Sequence, residues 1–262
     1  MENKVKVHYC DKYLMSPTHP VSITVIGCGG TGSFLLSRLA RLDFALRQLD
    51  HPGLHVHAID GDIVEQHNVG RQNFTENEIG KYKASTMIEK INFAFGLDWE
   101  STNKMVKVSE IVHSNIIITC VDNAKFRMDL ANSKEIYKKH FNDPYENVFY
   151  WLDCGNGKDF GQVILSTPQK IKQPSSEFET IDYLKSVVEI YGNLEEFDNE
   201  ESQGIKSCSF RDSLEKQDLF INDLVSTQAS DIILKLLRYK YITYQGVIIN
   251  QATLQQRGIL IK

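Results

Sequence analysis

Val25-Ile26-Gly27-Cys28-Gly29-Gly30-Thr31-Gly32-Ser33 decides the fold, because it joins two segments of different period. Upstream, Val21 to Ile26 alternates and is rich in β-branched residues, which predicts a strand. Downstream, from Ser33, Leu35, Leu39, Leu42, Leu46 and Leu49 recur at three- and four-residue spacings and predict a helix with one apolar face. A strand that feeds a helix through glycines makes a phosphate site: glycine lets the backbone approach closely, and the first helical N–H groups are unpaired at the positive end of the helix dipole. Gly27, Gly29 and Gly32 also spell G-x-G-x-x-G, and the strand, turn and helix lie in the order that motif requires.

Outward from this turn, the alternation of strand and helix continues. Leu54 to Ile59 is a second strand, ending at Asp60-Gly61-Asp62. A polar loop carries Asn68, Arg71 and Gln72, and Gly80 to Phe95 is a helix with Ala84, Met87, Ile88 and Ile91 on its apolar face. A strand is expected within Trp99 to Val108. Ile116 to Val121 is almost wholly apolar, the mark of a strand covered on both faces, and it ends at Asp122-Asn123 before a helix over Ala124 to Phe141. The expected fold is α/β, a Rossmann-like doubly wound sheet with ligands outside the carboxyl ends of its parallel strands. Asp60, Asp62, Asp122 and the glycine turn all sit at such ends.

The second half reads differently. Val148 to Leu152 and Gln162 to Leu165 are strands separated by glycines and close enough to pair antiparallel. Residues 168–206 are acidic and weakly periodic, and are expected to form a mobile polar crossover loop with one helix around Tyr183 to Tyr191. A strong helix follows over Asp218 to Leu237, then a closing pair of strands over Tyr241 to Asn250 and Ala252 to Ile261. Residues 1–20 read as an arm leading into the first strand. The whole of residues 1–262 is expected to be a single domain.

Composition narrows the function. The formal net charge of −5 argues against general nucleic-acid binding, whose footprint is a basic surface. No apolar run approaches membrane-spanning length, and Met1-Glu2-Asn3-Lys4 leads into no signal-peptide core, so a cytoplasmic protein is expected. The five cysteines are dispersed, with no C-x-x-C pair, which argues against a disulfide framework and against zinc. His55 and His57 share a strand face but have no third ligand nearby.

A hydride-transfer enzyme would need the turn and Asp60 and would leave Arg71, Lys83 and Asp122 idle. A triphosphate needs cations, and Mg²⁺ needs a carboxylate oxygen. The full set suits ATP better than NAD.

These residues resemble the ThiF/MoeB/HesA adenylating enzymes, which include the ubiquitin-activating enzymes. That family carries G-x-G-G-x-G-S, D-x-D, N-x-x-R-Q, G-x-x-K-A and a D-N pair followed by arginine. The matching residues are Gly27, Gly29, Gly30, Gly32 and Ser33; Asp60 and Asp62; Asn68, Arg71 and Gln72; Gly80, Lys83 and Ala84; and Asp122, Asn123 and Arg127. Gly155 through Val163 also looks like the family's later glycine-rich strand pair. The resemblance implies that a ubiquitin-like protein's C-terminal carboxylate attacks the α-phosphate of Mg-ATP. It implies ribose binding by Asp60, phosphate binding by Arg71 and Lys83 with Asn68 orienting, and Mg²⁺ at Asp122.

By position, Cys208 in Lys206-Ser207-Cys208-Ser209 is similar to the cysteine that takes the acyl group as a thioester, although lysine stands where those enzymes have proline. Lys206 and Arg211 beside it would favour a thiolate. A homodimer is the family expectation. Family members often send an arginine from an N-terminal segment into the neighbouring subunit's ATP site; the first arginine here is Arg38, so either Arg41 or Arg47 substitutes or the site lacks that contact. The stretch around Cys208 and Lys216 to Asn222 looks most like the ThiF-family component of bacterial PRTRC systems, which implies a conjugating-enzyme-like acceptor. The competing readings are an NAD-dependent oxidoreductase and a non-catalytic nucleotide-binding scaffold.

Overall fold

The computed structural model describes residues 5–111, 114–138, 144–192, 194 and 217–262. The central sheet has eight strands, and its parallel part is laid down first. Strand β1 (Lys6–Tyr9) and the short helix α1 (Lys12–Met15) precede it. Then come β2 (Val21–Ile26), α2 (Gly30–Arg47), β3 (Leu54–Ile59), α3 (Lys83–Phe95), β4 (Glu100–Thr102), β5 (Ile116–Thr119), α4 (Ala124–Asn132) and β6 (Tyr150–Asn156). Strands β4, β3, β2, β5 and β6 lie side by side in that order, all parallel. The order reverses beside β2, whose neighbours are β3 and β5; ligand crevices open at such a switch point, outside the strand ends.

The rest of the sheet is antiparallel. β7 (Phe160–Ser166) folds back on β6, with Cys154 opposite Val163 and Asn156 opposite Gly161. After β8 (Glu179–Thr180), α5 (Val187–Tyr191), α6 (Ile221–Tyr239) and β9 (Tyr241–Ile242), the hairpin of β10 (Tyr244–Asn250) and β11 (Gln255–Leu260) completes the sheet, β10 pairing with β7. The architecture is therefore the expected doubly wound, mostly parallel sheet with antiparallel strands towards the C-terminal end.

Both faces of the sheet are covered, as the unbroken apolar run of β5 predicts. Ile116 and Ile118 face the larger core with α2, α3 and α6, while Ile117 faces a smaller core with Leu130 of α4 and Val187 of α5. Helix α2 begins at Gly30, ahead of its apolar stripe, so the last two glycines of the turn are already helical. The stripe is buried through Leu46; Leu49 lies beyond the helix and is exposed.

Three expectations need correction, the first being the helix over Ala124 to Phe141, since α4 stops at Asn132. Residues 5–20 are more than an arm leading into the first strand: β1 is the middle strand of a second, three-stranded sheet, parallel to β8 and antiparallel to β9. Its His8 is fully buried, with Nδ1 2.7 Å from the Ile181 carbonyl and Nε2 3.0 Å from the Tyr150 hydroxyl. A carbonyl can only accept, so Nδ1 carries the proton and Nε2 accepts from Tyr150. Nor do residues 168–192 behave as a solvated loop, since Ile171, Leu184 and Val187 are buried there and β8 pairs with β1. Residues 195–206 of that stretch, and Cys208 with Lys206 and Arg211, lie outside the described residues. No described helix is long and apolar enough to cross a membrane.

Candidate active site

At the switch point the chain leaves β2 through Gly27, whose N–H donates to the Ile59 carbonyl at 2.9 Å. Gly27 has φ +91°, and a Cβ there would lie 2.7 Å from the Cys120 carbonyl oxygen. Any other residue would be both strained and overlapped. A Cβ on Gly32 would lie 1.9 Å from the Gly27 oxygen, so this glycine lets the first turn of α2 sit against the loop before it. Gly29 precedes the helix, and its own Cβ position is open towards Gln72.

The turn forms the floor of a cavity of about 700 Å³, which Gly27, Gly29, Gly30 and Thr31 border. Asp60, Asp62, Arg71, Gln72 and Lys83 form one wall, and Val121, Asp122 and Asn123 form another. The groups expected from four separated stretches of sequence thus meet around one space.

Their settings differ. Asp60 fastens β3 to the turn: one oxygen accepts from the Cys28 N–H at 2.6 Å and the other from the Asp62 N–H at 2.8 Å. Burial raises its pKa. Each carboxylate oxygen still has a second lone pair to offer. Lys83 is 7% exposed and its Nζ lies 3.2 Å from Asp62. It is also the first residue of α3, where a cation opposes the helix dipole, so this placement does not serve the helix. Arg71 donates through Nη1 to Gln217 Oε1 at 2.8 Å. Burial lowers its pKa, and its Nε and Gln72 Oε1 are buried without a hydrogen-bond partner among the described residues.

Asn68 does not border the cavity. Its Oδ1 accepts from the Glu65 N–H at 2.9 Å, and its carbonyl accepts from the Gln72 N–H at 2.8 Å, so it shapes the loop that carries Arg71. Asn123 caps α4 by accepting from the Phe126 N–H at 3.0 Å. Asp122 is exposed to the cavity and makes no hydrogen bond or ion pair among the described residues. Arg127 stands behind that wall, donating to the Val121 carbonyl with Nε 3.4 Å from Asp153. Arg47 pairs with Asp43 at 2.9 Å, at the end of α2 remote from the turn.

The donor set fits Mg-ATP on its own chemistry. An open carboxylate at Asp122 suits a hard cation that keeps most of its water and takes one or two protein carboxylates, and two cations with a helix N-terminus suit phosphate. Among the described residues no group of three or more His, Cys, Asp or Glu could hold a metal ion by itself. His55 and His57 each lie 3.8 Å from Glu100, away from the cavity wall. Of the four described cysteines only Cys120 borders the cavity, and Cys10, Cys28 and Cys154 are buried thiols whose pKa burial helps to raise.

Several wall residues were not expected. Lys104 and Lys158 add two cations, and Asn156, Gln217 and Asn222 add neutral amides. Lys158 stands in the glycine-rich hairpin between β6 and β7, the only signal that could have drawn attention to it.

A doubly wound sheet with a glycine turn, strand-end carboxylates and two basic residues at its switch point defines an α/β protein of the nucleotide-binding type. The ThiF family profile matches residues 12–143, and the chain belongs to that family. Among solved structures it is similar to E. coli MccB with ATP, at 14% identity and a TM-score of 0.60, covering 94% of this chain and 64% of MccB. It is likewise similar to PaaA, at 13% identity and a TM-score of 0.59, covering 92% and 64%. At such identities the likeness is one of fold, and the chain spans a little under two thirds of the length of either protein. No curated protein matches it in sequence.

Proposed function

We propose that the chain is an ATP-dependent adenylating enzyme acting on the C-terminal carboxylate of a ubiquitin-like protein. The observation that carries the reading is the meeting of Arg71, Lys83, Asp122 and the glycine turn around one cavity. A dehydrogenase has no use for that combination, and a scaffold needs no complete set of phosphate-binding groups. The MccB structures support it from outside, since MccB has been solved with ATP and with AMPCPP and MccA together.

In the reaction, a carboxylate oxygen bonds to the α-phosphorus as the bond from that phosphorus to the bridging oxygen breaks. The products are an acyl-adenylate and pyrophosphate. Charge grows on the phosphate oxygens, so catalysis here is electrostatic. Arg71 and Lys83 bind those oxygens, Lys83 exchanging its contact with Asp62 for the phosphate, and the amides at the start of α2 add hydrogen bonds. Asp60 accepts from ribose hydroxyls with its remaining lone pairs. Mg²⁺, held at Asp122, would neutralise phosphate charge and orient the leaving group.

The acyl group then passes to Cys208: its sulfur bonds to the acyl carbon and AMP leaves. A conjugating-enzyme-like acceptor, a homodimeric assembly, a cytoplasmic setting and a place in a PRTRC system complete the reading.

Calorimetric titration of the full chain with Mg-ATP, and separately with NAD, tests it. The expected result is Mg²⁺-dependent ATP binding that Lys83→Ala weakens; NAD binding with ATP ignored would overturn it. The thioester step is tested with Cys208→Ala, which is expected to abolish a reducible conjugate with the ubiquitin-like partner. A conjugate that persists would remove Cys208 from the mechanism.

A further inference from the structure

Arg71 is held in place by the opposite end of the chain. Its Nη1 donates to Gln217 Oε1 at 2.8 Å, and that same oxygen accepts from Asn222 Nδ2 at 3.0 Å. Gln217 Nε2 donates to the Gly157 carbonyl at 3.2 Å. Asn222 Oδ1 accepts from Asn156 Nδ2 at 2.8 Å and from the Thr31 hydroxyl at 3.2 Å. Asn222 is 1% exposed and lies across the first turn of α2, where a Cβ on Gly30 would come within 2.4 Å of its oxygen.

The sense of these hydrogen bonds is forced. A guanidinium only donates and a carbonyl only accepts, so Gln217 must turn its oxygen to Arg71 and its nitrogen to Gly157. Asn222 must then turn its nitrogen to Gln217 and its oxygen to Asn156 and Thr31. One amide orientation at Arg71 therefore fixes the next at the glycine turn.

We propose that Gln217, backed by Asn222, is a positioning residue that holds the Arg71 guanidinium ready for the phosphates, so that anion binding at the glycine turn depends on the chain entering α6. The inference rests on the proposed ATP reading of the cavity. An arginine side chain loses much rotamer freedom when it is fixed, and a partner that fixes it beforehand raises ligand affinity without touching the ligand. Neither amide carries charge, so neither competes with Asp122 for a cation or repels phosphate.

The test is a double-mutant cycle on the full chain, read as the dissociation constant for Mg-ATP by calorimetry. Gln217→Met keeps the length and removes the acceptor. It is expected to weaken Mg-ATP binding about tenfold in the wild-type background and less than twofold beside Arg71→Ala. Gln217→Ala takes its place if the methionine variant does not fold.

A role in packing alone would give the same loss in both backgrounds, and that result, or no loss in the wild-type background, overturns the proposal. A wild-type chain that binds no Mg-ATP overturns the reading on which it rests, an outcome distinct from tight wild-type binding insensitive to Gln217.

Discussion

The two sides of the cavity are built from opposite chemistry. The parallel half supplies most of the charge: Asp60, Asp62 and Asp122 just beyond strand ends, Arg71 in the loop that follows, and Lys83 at the start of α3. The C-terminal half contributes the amides Asn156, Gln217 and Asn222 and a single cation, Lys158. Charged side chains on the cavity wall can meet a triphosphate and its cation directly, whereas neutral amides can order those charges without adding net charge. On the proposed reading, the difference teaches that binding and orientation are divided between two stretches of chain that meet only in the folded molecule.

The division can be broken at its charged side first. Arg71→Ala and Lys83→Ala are each expected to lower adenylation turnover by about 10²–10³, the cost of one well-placed stabilising donor, as read by pyrophosphate exchange with the ubiquitin-like partner. Near-normal exchange in either variant would take that residue out of the mechanism.

The junction of the two halves gives the next effect. His8 on β1 bonds to Tyr150 at the start of β6 and to the Ile181 carbonyl beside β8, and burial pushes its pKa down to about 4. The folded state therefore holds a proton on His8 more weakly than the unfolded state does. The resulting stability is fully present above the ordinary histidine value near 6.5 and is lost as pH falls towards 4. By linkage, stability at pH 5 should be about 2 kcal/mol below that at pH 7 from this residue alone. Urea denaturation of the wild type and of His8→Gln at both values measures it. Equal losses in the two proteins would mean that other groups dominate.

A smaller effect is expected where the charged half itself uses an amide. Asn68→Ala removes the reciprocal cap of the turn before Arg71 and should cost about 1 kcal/mol of stability, measured by chemical denaturation. It should also weaken Mg-ATP binding less than Arg71→Ala does. An Mg-ATP loss as large as that of Arg71→Ala would bring Asn68 into the site itself.

The charged half was readable in the sequence because its signals are local. The β-branched run before Gly27, the leucine spacing after Ser33 and the carboxylates at strand ends each need only a short window. The amide side has no such signal. Gln217 and Asn222 are uncharged, fit no spacing rule, and reach the cavity only because α6 packs against α2, with Arg38 3.0 Å from Asp223.

The N-terminal strand was missed for a related reason. β1 has four residues and β8 and β9 two each, too short for an alternation to show, and their pairing joins residues far apart in the chain. The burial of Ile171 and Leu184 in the larger core, and of Val187 against Ile117 and Leu130, likewise rests on contacts between distant segments and not on a repeating pattern.

The hydrogen bond between Thr31 and Asn222 spans 191 positions of sequence. During synthesis, a nascent chain that ends before Asn222 already contains every charged group of the cavity and yet lacks the residue that lies across the first turn of α2. Completion of the pocket is thus deferred until α6 has left the ribosome and docked. A truncated product would carry the recognisable motif without the means to order it.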